Sequence, residues 1–251
     1  MKIHFGFDNL PTNLRSVVTI GSFDGVHRGH RVLLAELRAM AERLECESVV
    51  LTFDPHPRIA MGRDEGMGLL TTIEERALLL TQEGIDHLVV AYFDDKFRSQ
   101  PYEVFVRDSL VGSLGMVGMI VGYNHRLGRG SEGGYASLLP LSEELGFELR
   151  CVMQYKVEGD HVSSTVVRRL IESGDMRTVE RMLGVRYIVV GEVLDGVLRV
   201  ADSHKLLPPV GCYDVLFSYG EKDESATISV TDDRRLVFSN DTLSGSVIVR
   251  F

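Results

Sequence analysis

Cysteine is scarce: Cys46, Cys151 and Cys212 are three in 251 residues, odd in number and far apart. Neither a disulfide framework nor a CxxC site is written there, and a reducing cytoplasm is the simplest setting. Long apolar runs are missing too. No stretch reaches the ~18 residues of a membrane helix, and the opening Met1-Lys2-Ile3-His4-Phe5-Gly6 lacks the apolar core of a signal peptide. Positive charge is in deficit, with 27 Lys and Arg against 36 Asp and Glu, a formal net charge of −9. A sequence-blind nucleic-acid binder needs a basic face, so neither nucleic acid nor membrane is expected as a partner. Small anionic substrates stay open, because a local site can be positive on an acidic protein. What is present suits a globular chain: 44% hydrophobic and 25% charged residues, enough for one large or two modest domains.

From about residue 17 to 152, short apolar runs alternate with helical stretches. Residues 17–20, 48–53, 87–92, 117–121 and 147–152 are too short and β-branched for helices and read as strands. Amphipathic runs lie at 32–44 and 136–145, the latter stopped by Gly146. Thr72 with Glu75 at the capping-box position opens a helix that Gly84 ends. Such alternation predicts an α/β, Rossmann-like domain with a parallel sheet covered on both faces. After Gly184 the helical period disappears. Residues 186–191, 197–200, 213–218, 226–230, 236–238 and 247–251 read as strands, punctuated by Pro208-Pro209, Gly220, Asp232-Asp233 and Asn240-Asp241. They predict a small antiparallel β-barrel-like domain. The expected domains are 1–184 and 185–251.

Chemistry concentrates in Gly21-Ser22-Phe23-Asp24-Gly25-Val26-His27-Arg28-Gly29-His30, between the first strand and first helix, where α/β proteins bind ligands. Gly21, Gly25 and Gly29 permit tight turns and close backbone approach, and a helix N-terminus favours phosphate. His27 and His30 bracket Gly29 and can serve one spot. Paired imidazoles beside a phosphate suit nucleotidyl or phosphoryl transfer. Further on, Ser163 or Ser164 can cap a helix whose first turn offers amides and hydroxyls to phosphate oxygens. Arg168 lies one turn later on the face of Ser164, its planar fork suited to a triphosphate. The prolines of Asp54-Pro55-His56-Pro57 stiffen a loop on the edge that bears the HxGH turn. Asn124, at another strand end, offers an amide. His27, His30, His56 and His161 have no Cys pair or HExxH around them, so no protein-only metal cage is expected.

GSFDGVHRGH resembles the signature of bacterial bifunctional riboflavin kinase/FAD synthetases, within the HxGH nucleotidyltransferase superfamily. Thr52-Phe53-Asp54-Pro55-His56-Pro57 is similar to that family's TFDPHP stretch. Residues 121–128, VGYNHRLG, are similar to its flavin-side segment G-x-[ND]-F-x-F-G, and residues 162–168, VSSTVVR, to its nucleotide motif. The resemblance spans about residues 15–184. It implies an FMN adenylyltransferase that makes FAD and pyrophosphate from ATP and FMN, with Mg²⁺ accompanying ATP. His27 and His30 would attend the α-phosphate. Gly21, Phe23, Asp24, Gly29, Ser163, Ser164, Thr165 and Arg168 would hold ATP; Asp54, Pro55, His56, Pro57, Asn124 and Arg126 would hold the flavin. His125 and Leu127 depart from the pattern, standing where phenylalanines are usual. In the C-terminal part, residues 207–213 echo the kinase's LPxxGVY-like stretch. The PTAN-type loop expected between Gly191 and Leu207 has no counterpart, nor has the later carboxylate base, and Phe251 precedes the family's terminal helix. Kinase activity is therefore not expected. Two other readings stay open: a non-catalytic nucleotide- or flavin-binding paralogue, and a nucleotidyltransferase with another acceptor.

Overall fold

Runs of β-branched residues too short for helices become strands buried on both faces. In the computed structural model, which describes residues 1–63, 66–157, 159–200, 202–220, 222–240 and 243–251, the chain divides into two compact units. The first comprises Met1–Phe23, Gly29–Glu65 and Ala77–Tyr155; the second comprises Asp24–Arg28, Gly66–Arg76 and Lys156–Phe251.

The first unit holds a six-stranded, all-parallel sheet. Its strands are β1 (Lys2–Phe5), β2 (Ser16–Ile20), β3 (Glu47–Asp54), β4 (His87–Tyr92), β5 (Met116–Gly122) and β6 (Glu148–Val152), in the order β1-β4-β3-β2-β5-β6. The paired registers are parallel throughout. Every residue of β2 is buried, as a central parallel strand requires. The helices met along the chain are α1 (Arg28–Arg43), α2 (Pro57–Ala60), α3 (Ile73–Gln82), α4 (Asp95–Ser99), α5 (Tyr102–Val104) and α6 (Tyr135–Leu145). At α3 the expected capping box forms: Thr72 N–H donates to Glu75 Oε2 (2.9 Å) and Glu75 N–H to Thr72 Oγ1 (3.2 Å). Gly146 caps α6 in the left-handed conformation, φ 73°. One core gathers Val18, Val49, Leu51, Val89, Met119 and Leu138.

Two features were not anticipated. Strand β1 is an edge strand whose Ile3 and Phe5 are exposed, so it shows no core-facing alternation. Residues 95–113 fold into α4, α5 and a π-helical stretch, Phe105–Ser113. Pro101 interrupts the run and hides its helical period.

The long C-terminal segment of the second unit opens with the two-residue strands β7 (Lys156–Val157) and β8 (Asp160–His161), then α7 (Ser164–Glu172) and α8 (Met176–Leu183). A closed, antiparallel six-stranded barrel follows: β9 (Ile188–Leu194), β10 (Val197–Arg199), β11 (Gly211–Tyr219), β12 (Lys222–Val230), β13 (Arg235–Phe238) and β14 (Gly245–Arg250). Strand β12 starts four residues earlier than the hydrophobic pattern suggests. Its polar Lys222-Asp223-Glu224-Ser225 pairs with β11 while facing solvent. Closure leaves no edge strand open to stray pairing. Val167, Ile171, Val179, Met182, Val189, Val215 and Val249 share its core. Asn240 lies between β13 and β14, whereas Asp241, read with it as a turn, is outside the described residues.

Candidate active site

The HxGH turn is backbone-strained. Phe23 (φ 46°), Gly25 (φ 86°) and Val26 (φ 40°) take positive φ within four residues, and for a β-branched valine that is an outlier. Such strain persists only where surroundings enforce it, and it clusters at functional sites. At Gly25 a Cβ would meet Leu70 Cδ1 at 2.7 Å, so only glycine fits.

Gly21, Phe23, Gly29 and His30 fall in the first unit; Asp24 and His27 fall in the second. The rings of Phe23 and His30 lie 5.0 Å apart. His27 is buried, and that burial pushes its imidazole down to about 4, with Asp24 pulling weakly the other way. It is neutral at pH 7, carrying one N–H donor and one acceptor nitrogen.

Within the second unit the residues read as a triphosphate grip are set differently from expectation. Ser163 is the N-cap of α7, its Oγ accepting from Val166 N–H (3.3 Å). Ser164 donates its hydroxyl to the Asp24 carbonyl (2.8 Å), and Thr165 is exposed in the first turn. Arg168 is only 8% exposed and turns inward, donating from Nε to Gly68 O (2.8 Å) and from an Nη to Asp24 Oδ2 (2.5 Å). Asp24, at 1% exposure, also accepts from Leu70 N–H, Thr71 N–H and the Thr71 hydroxyl, with Arg76 3.9 Å away. Burial alone would raise this carboxyl; the two arginines and the amides outweigh it and hold it below the usual range. A buried carboxylate needs such countercharge, which is why Arg168 is drawn in rather than left reaching outward. The sequence reading also missed a second buried pair, Lys205 Nζ to Glu75 Oε2 at 2.6 Å. Its ammonium bonds Leu70 O and Ile188 O as well and sits 4.3 Å from the Tyr187 ring centre.

In the first unit, strand order reverses at β2, which has β3 on one side and β5 on the other. Ligands of open α/β sheets bind beyond the carboxyl ends of strands at such a reversal. A cavity of about 570 Å³ lies there, bounded by Ile20 at the end of β2, Gly21 and Ser22 after it, Phe53 on β3 and residues 125–131 after β5. One side is aromatic: Phe53 meets Phe93 and Phe97 edge-on (centroids 5.4 and 5.5 Å), and Phe97 meets Phe105 (5.1 Å). Arg63, Arg98, Arg126 and Arg129 also line it, with no acidic residue among the described lining. An acidic protein thus carries a local basic, aromatic cavity that suits a planar anionic ligand.

Of the residues assigned to the flavin, Pro57 and Arg126 line this cavity, as does Gly21. Asp54, Pro55, His56 and Asn124 are not among its lining residues. His56 instead caps α2, its Nδ1 accepting from Arg58 N–H (3.2 Å). Asp54 and Asn124 are exposed. Leu127 joins the first unit's core and exchanges backbone hydrogen bonds with Gly133. The phenylalanines and Arg63, Arg98 and Arg129 escaped the sequence reading. A recognisable signal was Phe93 and Phe97 one helical turn apart, just beyond a strand end. Among the described residues no group of three or more His, Cys, Asp or Glu gathers for a metal ion, and no helix is long and apolar enough to cross a membrane.

Comparison with known proteins adds three findings. The family model described as FAD synthetase matches residues 10–166. The chain is 32% identical over 198 residues to the bifunctional riboflavin kinase/FMN adenylyltransferase of Escherichia coli K12, covering 78% of this chain and 63% of that protein. It is 34% identical over 197 residues to the protein of the same name from Pseudomonas fluorescens, with the same coverage of 78% and 63%. The chain thus spans under two-thirds of the length of these relatives. The crystal structure of a macrolide-efflux protein from Streptococcus pneumoniae shares the fold, with TM-score 0.85 and 22% identity, over 100% of this chain and 89% of that one.

Proposed function

The chain belongs to the FAD synthetase family, and on that footing we propose that it is an FMN adenylyltransferase, converting ATP and FMN to FAD and pyrophosphate. The observation that carries this reading is the cavity at the strand-order reversal, aromatic on one side and lined by four arginines. The phenylalanines receive the isoalloxazine ring and the guanidinium groups offset the FMN phosphate. In the second unit, residues 24–28 of the turn and the first turn of α7, where Ser163, Ser164 and Thr165 stand, take the phosphates of ATP. A phosphate oxygen of FMN attacks the α-phosphorus of ATP in line. The new P–O bond forms as the bond to the β-phosphate bridging oxygen breaks, and its electron pair leaves with pyrophosphate. His27, neutral at pH 7, and His30 donate hydrogen bonds to the α-phosphate oxygens as charge builds. Asp24 and Arg168 position the turn and α7 rather than touch phosphate. Mg²⁺ supplies charge neutralisation on the phosphates. With Asp24 committed to arginines, the donors of this chain suit an ion that arrives with ATP.

In this reading the barrel has lost riboflavin kinase activity. Between Gly191 and Leu207, Lys205 is turned into the core and paired with Glu75. Asp195 sits in the β9–β10 turn, Asp202 accepts from His204 N–H and Asp214 accepts from the Thr227 hydroxyl. The cytoplasm, which supplies ATP and FMN, is the proposed setting.

The test is to incubate the protein with Mg·ATP and FMN, and separately with Mg·ATP and riboflavin, following flavins by chromatography and pyrophosphate by a coupled assay. FAD forms in the first case, and His30→Ala lowers its turnover about 10²–10³-fold while still binding flavin. No FAD above a heat-killed control would overturn the proposal, and FMN made from riboflavin would overturn the loss of the kinase.

A further inference from the structure

We propose that His4, His87 and Glu47 form an acid-opened latch on the edge strand β1. His87 carries a proton on both ring nitrogens, holding His4 on one side and Glu47 on the other, and a further proton on His4 releases the strand. The proposal lies beyond the transferase reading and does not depend on it.

Strand β1 has four residues, lies at the sheet edge beside β4 and leaves Ile3 and Phe5 exposed, so little else fastens it. The rings of His4 on β1 and His87 on β4 stack with centres 5.1 Å apart, 20° from parallel. His4 Nε2 lies 2.9 Å from His87 Nδ1, and His87 Nε2 lies 2.6 Å from Glu47 Oε2 at the start of β3. His4 Nδ1 lies 3.3 Å from the carbonyl oxygen of Asn9. A carbonyl only accepts, so His4 Nδ1 carries the proton and its Nε2 is left as a lone pair. His87 Nδ1 then donates to that lone pair. A carboxylate also only accepts, so His87 Nε2 donates to Glu47. All three contacts form together only when His87 holds two ring protons. His87 is 1% exposed, and a buried cation needs a counterion; half-exposed Glu47 is that counterion.

Acid breaks the chain at His4. Once Nε2 is protonated as well, two N–H groups face each other across 2.9 Å and two cations stack, so the contact becomes repulsive. Burial first, then the charge of His87, holds the His4 imidazole below its ordinary 6.5; the Asn9 carbonyl opposes this and Lys2 adds to it. A detached β1 therefore binds the proton more readily than a docked one, and the latch weakens as pH falls below about 6.5. Neighbouring charges are engaged elsewhere or exposed. Asp86, beside His87, accepts from the N–H and hydroxyl of Ser48 (2.8 and 2.7 Å). Arg15, whose carbonyl accepts from Glu47 N–H, donates from its guanidinium to the carbonyls of Leu44 and Glu45, and Asp8 beside Asn9 is exposed. Release bares the edge of β4 that β1 covers.

The test uses the full chain as the parent, His4→Gln and Glu47→Gln. Long-range ¹H–¹⁵N NMR spectra at pH 7 count the ring protons. His87 is expected to show two protonated nitrogens in the parent and one in Glu47→Gln, which has lost the counterion. His4→Gln presents His87 with an amide oxygen that does not titrate. Hydrogen exchange then reads the strand through the Gly6 amide, which donates to Val90 O (2.9 Å). Corrected for the intrinsic pH dependence of exchange, its protection falls about threefold or more between pH 7 and pH 5 in the parent, beyond any change in β2. In His4→Gln it falls no further than β2 does. A single ring proton on His87 in the parent overturns the proposal, as do two that persist in Glu47→Gln. So does a Gly6 protection that falls equally in the parent and in His4→Gln. Should His4→Gln fail to fold, the proton count in the parent and in Glu47→Gln, altered at an exposed position, decides alone.

Discussion

Two sets of buried polar groups differ in how they are satisfied. In the second unit Asp24, Glu75, Arg168 and Lys205 lie inside the protein, each held by an opposite charge and by backbone or hydroxyl partners. In the first unit a ring nitrogen of His125 is buried with no hydrogen-bond partner in the protein. A buried charge with a full set of partners is what a fold needs to tolerate it, and by itself marks structure. A buried polar atom without one is uncommon and calls for an explanation of its own. In the proposed function Asp24 and Arg168 are accordingly positioning residues, where the sequence leads one to expect a phosphate grip.

The largest effect that could break the comparison is at Lys205. Lys205→Met leaves Glu75 buried without its countercharge and should cost about 3–5 kcal/mol. Adding Glu75→Gln should recover part of this, because the uncompensated charge is gone, although the amide's single oxygen can accept from only one of Thr72 N–H and Val190 N–H in place of the carboxylate's two. Urea denaturation of the three proteins decides it. A single variant within about 1 kcal/mol of the parent would show that the pair is not structural.

Acid sharpens the comparison next. The folded pKa of His27, about 4, lies below its ordinary 6.5, so between those values the unfolded chain binds more protons. Stability therefore falls as pH drops from about 6.5 to about 4, by up to roughly 3 kcal/mol from this group. His125 acts with the same sign over the same window. Asp24, held below its usual range, adds its loss only at lower pH. Denaturation curves at pH 7, 5.5 and 4.5 should show a shallower dependence in His27→Gln; equal slopes would mean that the imidazole is already charged or hydrated at neutral pH.

The smallest effect tests local order. Thr72→Ala removes one arm of the capping box and should cost about 1 kcal/mol, read as a shift in thermal midpoint with FMN quenching unaltered. A loss of flavin binding would mean that the α3 cap shapes the cavity as well.

Much of the fold was legible in the sequence. The runs at 48–53, 87–92 and 117–121 became strands, and Thr72 with Glu75 became a cap, because these signals act within a few residues. Strand β1 was not legible, since an exposed edge carries no buried alternation. Strand β12 was legible only in its apolar half, for the same reason. In the candidate site, the strained turn and the α7 cap could be anticipated from Gly25, Ser163 and their neighbours. The aromatic side of the cavity could not, because Phe53, Phe93, Phe97 and Phe105 come from separate elements.

By itself the sequence determined the family, the α/β-then-barrel order and the placing of the HxGH turn between a strand and a helix. Each depends on local pattern, on which residues follow one another. Only the tertiary structure decided what the charged side chains do. Arg168, four residues beyond Ser164, is equally placed for a phosphate or for Asp24, and the choice is made by the burial of a carboxylate that lies 144 residues away in the chain. The same holds for Lys205 and Glu75, 130 residues apart, and for the unpaired nitrogen of His125. Burial depends on which distant surfaces meet, and it is burial that turns a charge from a solvated side chain into a structural one.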